Sequence, residues 1–360
     1  MSEEDKLKAI RSRIDQIDEQ LQRLISERAQ CALEVAGLKK SLGNNAFYRP
    51  EREVEVLRTA LSRNQGPLSD EAVARVFREI MSACLALQRP MTVGYLGPEG
   101  TFTEAAVLKH FGHSVGTRPL ADIDEVFREV EAGAVDYGVV PIENSTEGAV
   151  HHTLDMFLNS TLKICAEIEL RVHHLLMARA PDIRAIHRVY AHQMALGQCR
   201  GWLDQNLSGI ERVALSSNAE AARRAAAEEG VAAIAGARAA ELYGLNVLAH
   251  NIEDEPDNTT RFLVIGRQIP GPTGRDKTSL LVSTANKPGA LYRLLGPLAE
   301  HGLSMTRIES RPSRRGVWEY VFFIDVEGHI QDPKVAAAIS ALEQEAAMLK
   351  VLGSYPTAVL

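Results

Sequence analysis

Between Leu7 and Leu42 the apolar positions run Leu7, Ile10, Ile14, Ile17, Leu21, Leu24, Cys31, Val35, Leu38 and Leu42, in alternating steps of three and four. Such a seam predicts one long helix that lies against a second helix. A single step breaks it, because Arg28 holds the seam position between Leu24 and Cys31. A cation facing a partner helix is costly unless an anion waits there, although an interhelical ion pair is the plainer alternative. Arg28 and Lys39 lie about 16 Å apart along a straight helix, within reach of one small ligand. Arg11 and Lys39 share a heptad letter but stand about 42 Å apart by the same rise. Arg11 joins them only if a second subunit packs antiparallel, so the pattern predicts a homodimer with intertwined N-terminal helices.

Two shorter helices follow. Pro50 opens one, with Arg52 and Glu53 in its first turn, and Gly66-Pro67 closes it. Ser69-Asp70-Glu71 caps the next, which runs to Gln88 with Val73, Val76, Phe77, Ile80, Met81 and Cys84 on its apolar side. After Pro90 the period changes. Strands are expected at Thr92–Leu96, Tyr137–Pro141, within Leu162–Met177, and at Val189–Ala191, Val213–Ser216, Val231–Ala235 and Thr260–Gly266. Helices are expected at Ile123–Glu131, Leu196–Leu203, Ala219–Glu229 and Arg238–Tyr243. Alternation of this kind is α/β, with two lobes and a cleft between them. The proline- and glycine-rich stretch from Ile269 to Gly274 reads as a linker. Beyond it the expected order is strand, helix from Pro288 to His301, two strands, helix from Pro333 to Met348 and a last strand, a ferredoxin-like α+β module. The chain is therefore multidomain: residues 1–90 all-α, 91–268 α/β, and 277–360 α+β.

Polar words sit at the expected strand ends. The run YGVVPIENSTEG, from Tyr137 to Gly148, passes from a buried strand stopped by Pro141 into Glu143, Asn144, Ser145 and Thr146. Ligands bind at that edge of an open α/β sheet, though a capped loop would use similar residues. Gly97-Pro98-Glu99-Gly100 precedes a helix whose free N–H groups could cradle an anion. The dinucleotide spacing G-x-G-x-x-G is absent. His192 to Cys199 and Asn258-Thr259-Thr260-Arg261-Phe262 complete the set.

Composition narrows the possibilities. A net charge of -7 argues against a general nucleic-acid binder. The acidic, amphipathic start carries no visible export address, and no apolar run is long enough to span a bilayer. Cys31, Cys84, Cys165 and Cys199 are scattered without metal-ligand spacing, which suits a reducing cytoplasm. The pairs His151/His152 and His173/His174 are expected on strands, as structural or solvent-facing residues; no metal and no cofactor is expected.

With these residues in view, three family resemblances emerge. Arg11, Arg28, Lys39, Arg52, Glu53 and Gln88 resemble the spaced polar set of the all-helical chorismate mutases. Arg49 and Cys84 depart from it where relatives carry aspartate and serine. The words Gly-Pro-x-Gly, Pro-Ile-Glu-Asn and Thr-Arg-Phe, over residues 91 to 268, resemble prephenate dehydratase, whose two lobes are like those of periplasmic binding proteins. Gln193 and Met194 depart from that pattern, whereas Gln198 keeps it. Gly289-Ala290-Leu291, with Asn286 before it, and Glu309-Ser310-Arg311-Pro312 resemble the two signature words of a phenylalanine-binding ACT domain.

The resemblances imply a bifunctional enzyme of phenylalanine biosynthesis. Chorismate would rearrange to prephenate, prephenate would be decarboxylated and dehydrated to phenylpyruvate, and phenylalanine would inhibit. In the first site Arg11 and Arg28 would clamp carboxylates, Lys39 and Gln88 would meet the ether oxygen, and Glu53 beside Arg52 would accept the ring hydroxyl. Arg49 and Cys84 would affect affinity. In the second, Thr260 would carry activity with Glu143, Asn144 and Gln198, and Ser145 would line the site. Arg261 is either a carboxylate partner or a framework cation, since strand alternation turns it away from Thr260. Whether Glu143 or Thr260 handles the proton stays open, as does a structural role for Glu143. Two rivals remain. One is a two-lobed binding protein with a sensor module and no catalysis; the other is a dehydratase whose helical arm only dimerises.

Overall fold

The computed structural model describes residues 2–43, 48–284, 287–312 and 320–359. The first helix, α1 (Glu3–Ser41), starts at Ser2, which accepts a hydrogen bond from the Asp5 amide while Asp5 bonds back in a capping box. Acidic residues in its first turn and Lys39 and Lys40 in its last complement the helix dipole. No residue of α1 is buried, and its seam stays open to solvent, with Ile10 59%, Leu24 53% and Leu38 65% exposed. Helix α2 (Pro50–Ser62) begins on proline, and α3 (Asp70–Gln88) on the Ser69 cap. Helix α3 packs between α1 and α2. Among the described residues no helix is long and apolar enough to cross a membrane.

The next unit is built from β1 (Thr92–Leu96), α4 (Phe102–Phe111), β2 (Gly116–Leu120), α5 (Ile123–Ala132), β3 (Tyr137–Asn144), β4 (Gly148–Ala149), α6 (His151–Phe157) and β5 (Lys163–Arg171). The chain then leaves for a second unit: β6 (Leu175–Ala178), β7 (Arg188–His192), α7 (Gln193–Gln198), α8 (Arg200–Asn206), β8 (Glu211–Leu215), α9 (Asn218–Ala227), β9 (Val231–Ala235), α10 (Ala237–Tyr243) and β10 (Asn246–Ala249). It returns as β11 (Thr259–Gly266) to the first sheet, between β3 and β5. The sheet orders are β2-β1-β3-β11-β5, with β4 on β3, and β10-β6-β9-β7-β8. These are the two lobes. The outgoing and returning strands are bonded where they cross, Val172 N–H to the Asn258 carbonyl at 2.8 Å.

Two expectations change here. Strand β3 does not stop at Pro141 but runs to Asn144. Its pairing with β11 shifts between Phe262 opposite Pro141 and Arg261 opposite Glu143, which leaves Ile142 as an extra residue. A bulge of this kind accommodates the missing proline N–H and lets the ladder resume. His151 and His152 open α6 rather than a strand, and His173 and His174 lie in the link between β5 and β6.

The last module comprises β12 (Asp276–Ser283), α11 (Ala290–Glu300), β13 (Met305–Pro312), β14 (Tyr320–Glu327), α12 (Pro333–Glu345) and β15 (Met348–Pro356), in sheet order β13-β14-β12-β15. Pro288 lies outside α11, because Gly289 caps the helix in the left-handed region at φ 75°. One sheet face buries Leu280, Val282, Ile324 and Val326 under the two helices. The other shares a core with lobe one, where Leu281, Phe323, Leu352 and Tyr355 meet Ile142, Phe157 and Ile164. Strand β15 approaches β5 so closely that a Cβ on Gly353 would collide with the Ile164 carbonyl. Gly353→Ala is therefore expected to cost about 3 kcal/mol by overpacking, read as a lowered urea midpoint.

Candidate active sites

Helices α1, α2 and α3, with Tyr48 and Phe111 of α4, line a cavity of about 380 Å³. Arg28, Lys39, Arg49, Arg52, Glu53, Cys84 and Gln88 line it, with Val35, Val56, Met81 and Phe111 as apolar wall. Arg11 is not in the lining, and lies about 25 Å from Arg28 along α1. Desolvation lowers the Lys39 pKa, and Arg49 adds to this. Burial pushes the Glu53 carboxyl up to about 7, against Arg78 and a hydrogen bond from Tyr48 that favour the charged form. Arg49 is held by Glu51 at 2.7 Å and Arg52 by Glu55 at 2.5 Å. Among the described residues the Gln88 amide oxygen is buried without a hydrogen-bond partner. A pocket lined by four cations with a carboxylate and a carboxamide among them suits a small polar dianion.

The second cavity, about 610 Å³, lies between the lobes at the ends of β1, β3, β7 and β9, where open α/β sheets place ligands. Its polar wall is one connected network. Asn144 and Thr260 are cross-strand partners, and the Asn144 Nδ2 donates to Thr260 Oγ1 and to Asn258 Oδ1, both at 2.8 Å. The Asn144 oxygen accepts from the Thr146 and Glu147 amides at 3.0 and 3.1 Å, which fixes the orientation of the carboxamide. Gln198 of lobe two donates to Thr146 Oγ1 at 3.2 Å and accepts from His174 Nε2 at 2.9 Å. Both Asn144 amide hydrogens are used. Thr260, having accepted one of them, keeps its own hydroxyl proton to give.

Glu143 and Arg261, the neighbouring cross-strand pair, face away from this cleft. Arg261 bonds Asp325 of β14 at 2.9 Å and lies 3.7 Å from Glu167 and 3.9 Å from Glu143. Arg307 meets Glu143 at 3.2 Å, and Lys277 meets Glu167 at 2.7 Å. Burial works against the Arg261 charge, yet Asp325, Tyr355 and Glu167 outweigh it and raise its pKa. Three cations and three carboxylates thus tie lobe one to the last module, with Arg261 among them and outside the cleft lining. Ser145 is likewise outside the cleft lining: its hydroxyl accepts from the Thr259 amide at 3.0 Å and joins the β3 turn to β11.

Two further expectations are revised. The Gly100 amide is no open anion cradle, because Glu104 takes it at 2.5 Å and is itself held by Arg238 at 3.1 Å. Arg311 is bound to Asp155 of α6 at 2.9 Å, so that guanidinium is committed to lobe one. Gly289, Ala290 and Leu291 form the start of α11, while Glu309, Ser310 and Pro312 lie along β13. Asn286 lies outside the described residues.

His174 is the residue that sequence reasoning undervalued. It is 2% exposed, lines the cleft and fixes Gln198. Burial lowers its pKa, so the ring is neutral, with Nε2–H donating and Nδ1 without a partner among the described residues. Its position beside the lobe crossing is invisible when both histidines are taken as strand residues.

Three family models match the chain: chorismate mutase type II over residues 10–89, prephenate dehydratase over 93–270 and the ACT domain over 278–344. They define a multidomain enzyme with two catalytic units and a regulatory one. Bifunctional chorismate mutase/prephenate dehydratases of Stutzerimonas stutzeri and Pseudomonas aeruginosa are 59% and 58% identical, each over 100% of both chains. The crystal structure of prephenate dehydratase in complex with L-Phe from Arthrobacter aurescens aligns with a TM-score of 0.68 at 38% identity, covering 74% of this chain and 90% of that one. The chain belongs to the bifunctional chorismate mutase/prephenate dehydratase family.

Proposed function

We propose that the helical cavity and the inter-lobe cleft are the two active sites of this bifunctional enzyme. The protein rearranges chorismate to prephenate, converts prephenate to phenylpyruvate, and is feedback-inhibited by phenylalanine. Residues 1–90, 91–268 and 277–360 divide the tasks among mutase, dehydratase and sensor.

The mutase reaction moves no proton and needs no nucleophile. It requires a compact dianion and stabilisation of the charge that grows on the breaking ether oxygen. Arg28 holds a carboxylate, Lys39 and Gln88 donate to the ether oxygen, and ionised Glu53 accepts the ring hydroxyl. Arg11 arrives from a second copy, whose α1 covers the exposed seam of the first in an intertwined homodimer. Arg49, Arg52 and Cys84 shape affinity. In the dehydratase cleft the ring carboxylate leaves as carbon dioxide, its bonding electrons enter the ring, and the ring hydroxyl departs with a proton as water. Thr260 donates its hydroxyl hydrogen to that leaving oxygen, and the proton carried off in the water is replaced from solvent, with Asn144 and Gln198 holding the hydroxyl in place. The observation that carries this reading is the commitment of both Asn144 hydrogens, which leaves the Thr260 proton for substrate. Glu143 serves the frame between lobe one and the sensor. Phenylalanine is bound by the Gly289–Leu291 turn and Ser310. Four free thiols fit a cytoplasmic enzyme.

The experiment is a time course with chorismate alone. Prephenate is expected first and phenylpyruvate second, with L-phenylalanine suppressing the second conversion. Prephenate that accumulates without phenylpyruvate would leave the dehydratase half unsupported.

A further inference from the structure

Tyr48 belongs in sequence to the helical segment, yet its ring is 6% exposed inside the core of lobe one. Ring centroids lie 5.2 Å from both Phe111 and Tyr137. The Tyr48 hydroxyl is 2.8 Å from Nε2 of His110 on α4, and Tyr48 lines both of the cavities that Glu53 lines. A phenol has one proton and can accept as well. Burial, then Arg78, pushes the His110 pKa down to about 3, so that ring is neutral. With Nε2–H donating to the Tyr48 oxygen, the Tyr48 proton is left to turn toward the Glu53 carboxylate, whose charged form Tyr48 favours. The next residue of α4, Phe111, stands in the wall of the mutase cavity. Helix α4 therefore reaches the mutase pocket directly through Phe111, and through Tyr48 by way of His110, although it belongs to the dehydratase lobe.

We propose that the dehydratase lobe completes the mutase site of its own chain: Tyr48 and His110 are positioning residues that aim Glu53 at the ring hydroxyl of chorismate, and Phe111 closes the pocket. The proposal rests on the assignment of Glu53 to the mutase site. It makes the two catalytic units interdependent in one direction, because the dehydratase cleft uses neither Tyr48 nor His110.

The titratable and charged groups that share a cavity with Glu53 are Arg28, Cys31 and Lys39 on α1, Arg49 and Arg52 at the start of α2, Arg78 and Cys84 on α3, Tyr48, Lys109 and His110 on α4, and Glu167 and Glu169 on β5. Glu53, pushed up to about 7 by burial, changes charge near neutrality, whereas burial keeps His110 neutral there. Mutase kcat/KM therefore rises with pH as Glu53 ionises. The Tyr48 bond favours the ionised form, so its loss moves that limb to higher pH.

The decisive variant is Tyr48→Phe in the full-length chain, which keeps the ring in the core and removes only the hydroxyl. Mutase kcat/KM at neutral pH is expected to fall roughly tenfold, with the acidic limb moved up by about one pH unit. Dehydratase turnover on added prephenate stays at the wild-type rate. His110→Ala follows Tyr48→Phe, and His110→Gln, which keeps an N–H near the Nε2 position, restores most of the loss. Unchanged mutase kcat/KM and an unmoved limb in Tyr48→Phe would overturn the proposal. Parallel loss of both activities would overturn it too, by assigning the hydroxyl to packing of lobe one. Glu53→Ala, measured alongside, separates the two levels. If it keeps mutase activity, the site assignment falls and takes the relay with it; if it loses activity while Tyr48→Phe does not, only the relay falls.

Discussion

Thr260→Ala is expected to lower prephenate dehydratase turnover by about three orders of magnitude and to leave chorismate mutase turnover at the wild-type rate. Hydroxide is a poor leaving group, and a hydrogen placed on that oxygen speeds its departure. Thr260 sits in the cleft wall with its oxygen already accepting from Asn144 at 2.8 Å. That bond occupies one lone pair of the oxygen and leaves its O–H available to a ligand in the cleft. Alanine removes the donor and leaves one Asn144 hydrogen aimed at empty space, so Thr260→Ser, which keeps the hydroxyl, should recover much of the rate. A dehydratase rate in Thr260→Ala equal to wild type would remove the residue from the mechanism. The mutase cavity shares no lining residue with the cleft, which is why its rate is expected to hold.

Arg28→Ala is the converse. Mutase turnover should fall by about two to three orders of magnitude, the loss typical of removing one preorganised charge-stabilising donor, with dehydratase activity on added prephenate intact. Arg28 is the only cation at a seam position of α1, and it lines the cavity between Glu53, Lys39 and Gln88. A structural role would have the opposite signature, since alanine in place of a charge on an apolar seam improves helix packing. Mutase activity that survives Arg28→Ala would return the helical segment to a dimerisation arm.

Local pattern made much of this fold legible. The heptad seam, the proline and serine helix starts, and the β-branched runs each encode their element within a few neighbouring residues, and the helices and strands they mark are present. Failures came where distant chain segments decide. Pro141 reads as a strand end because it lacks an N–H, but the bulge at Ile142 depends on β11, more than a hundred residues away. Glu143 looks catalytic beside Asn144, whereas its partners Arg261 and Arg307 come from β11 and the last module. Arg311 appears available to an amino acid until Asp155 of α6 is placed against it. The same limit hid His174 and Tyr48, whose roles exist only once the lobes and the helical segment are packed together. Thr260, Asn144 and Gln198 were legible because strand alternation and short words place them, and the structure joins all three in one network.

The most direct test of two separate sites on one chain is a chorismate time course run on Thr260→Ala. The account predicts prephenate formed at the wild-type rate and accumulating, with phenylpyruvate production almost abolished. Phenylpyruvate appearing at the wild-type rate, or prephenate failing to form, would contradict it.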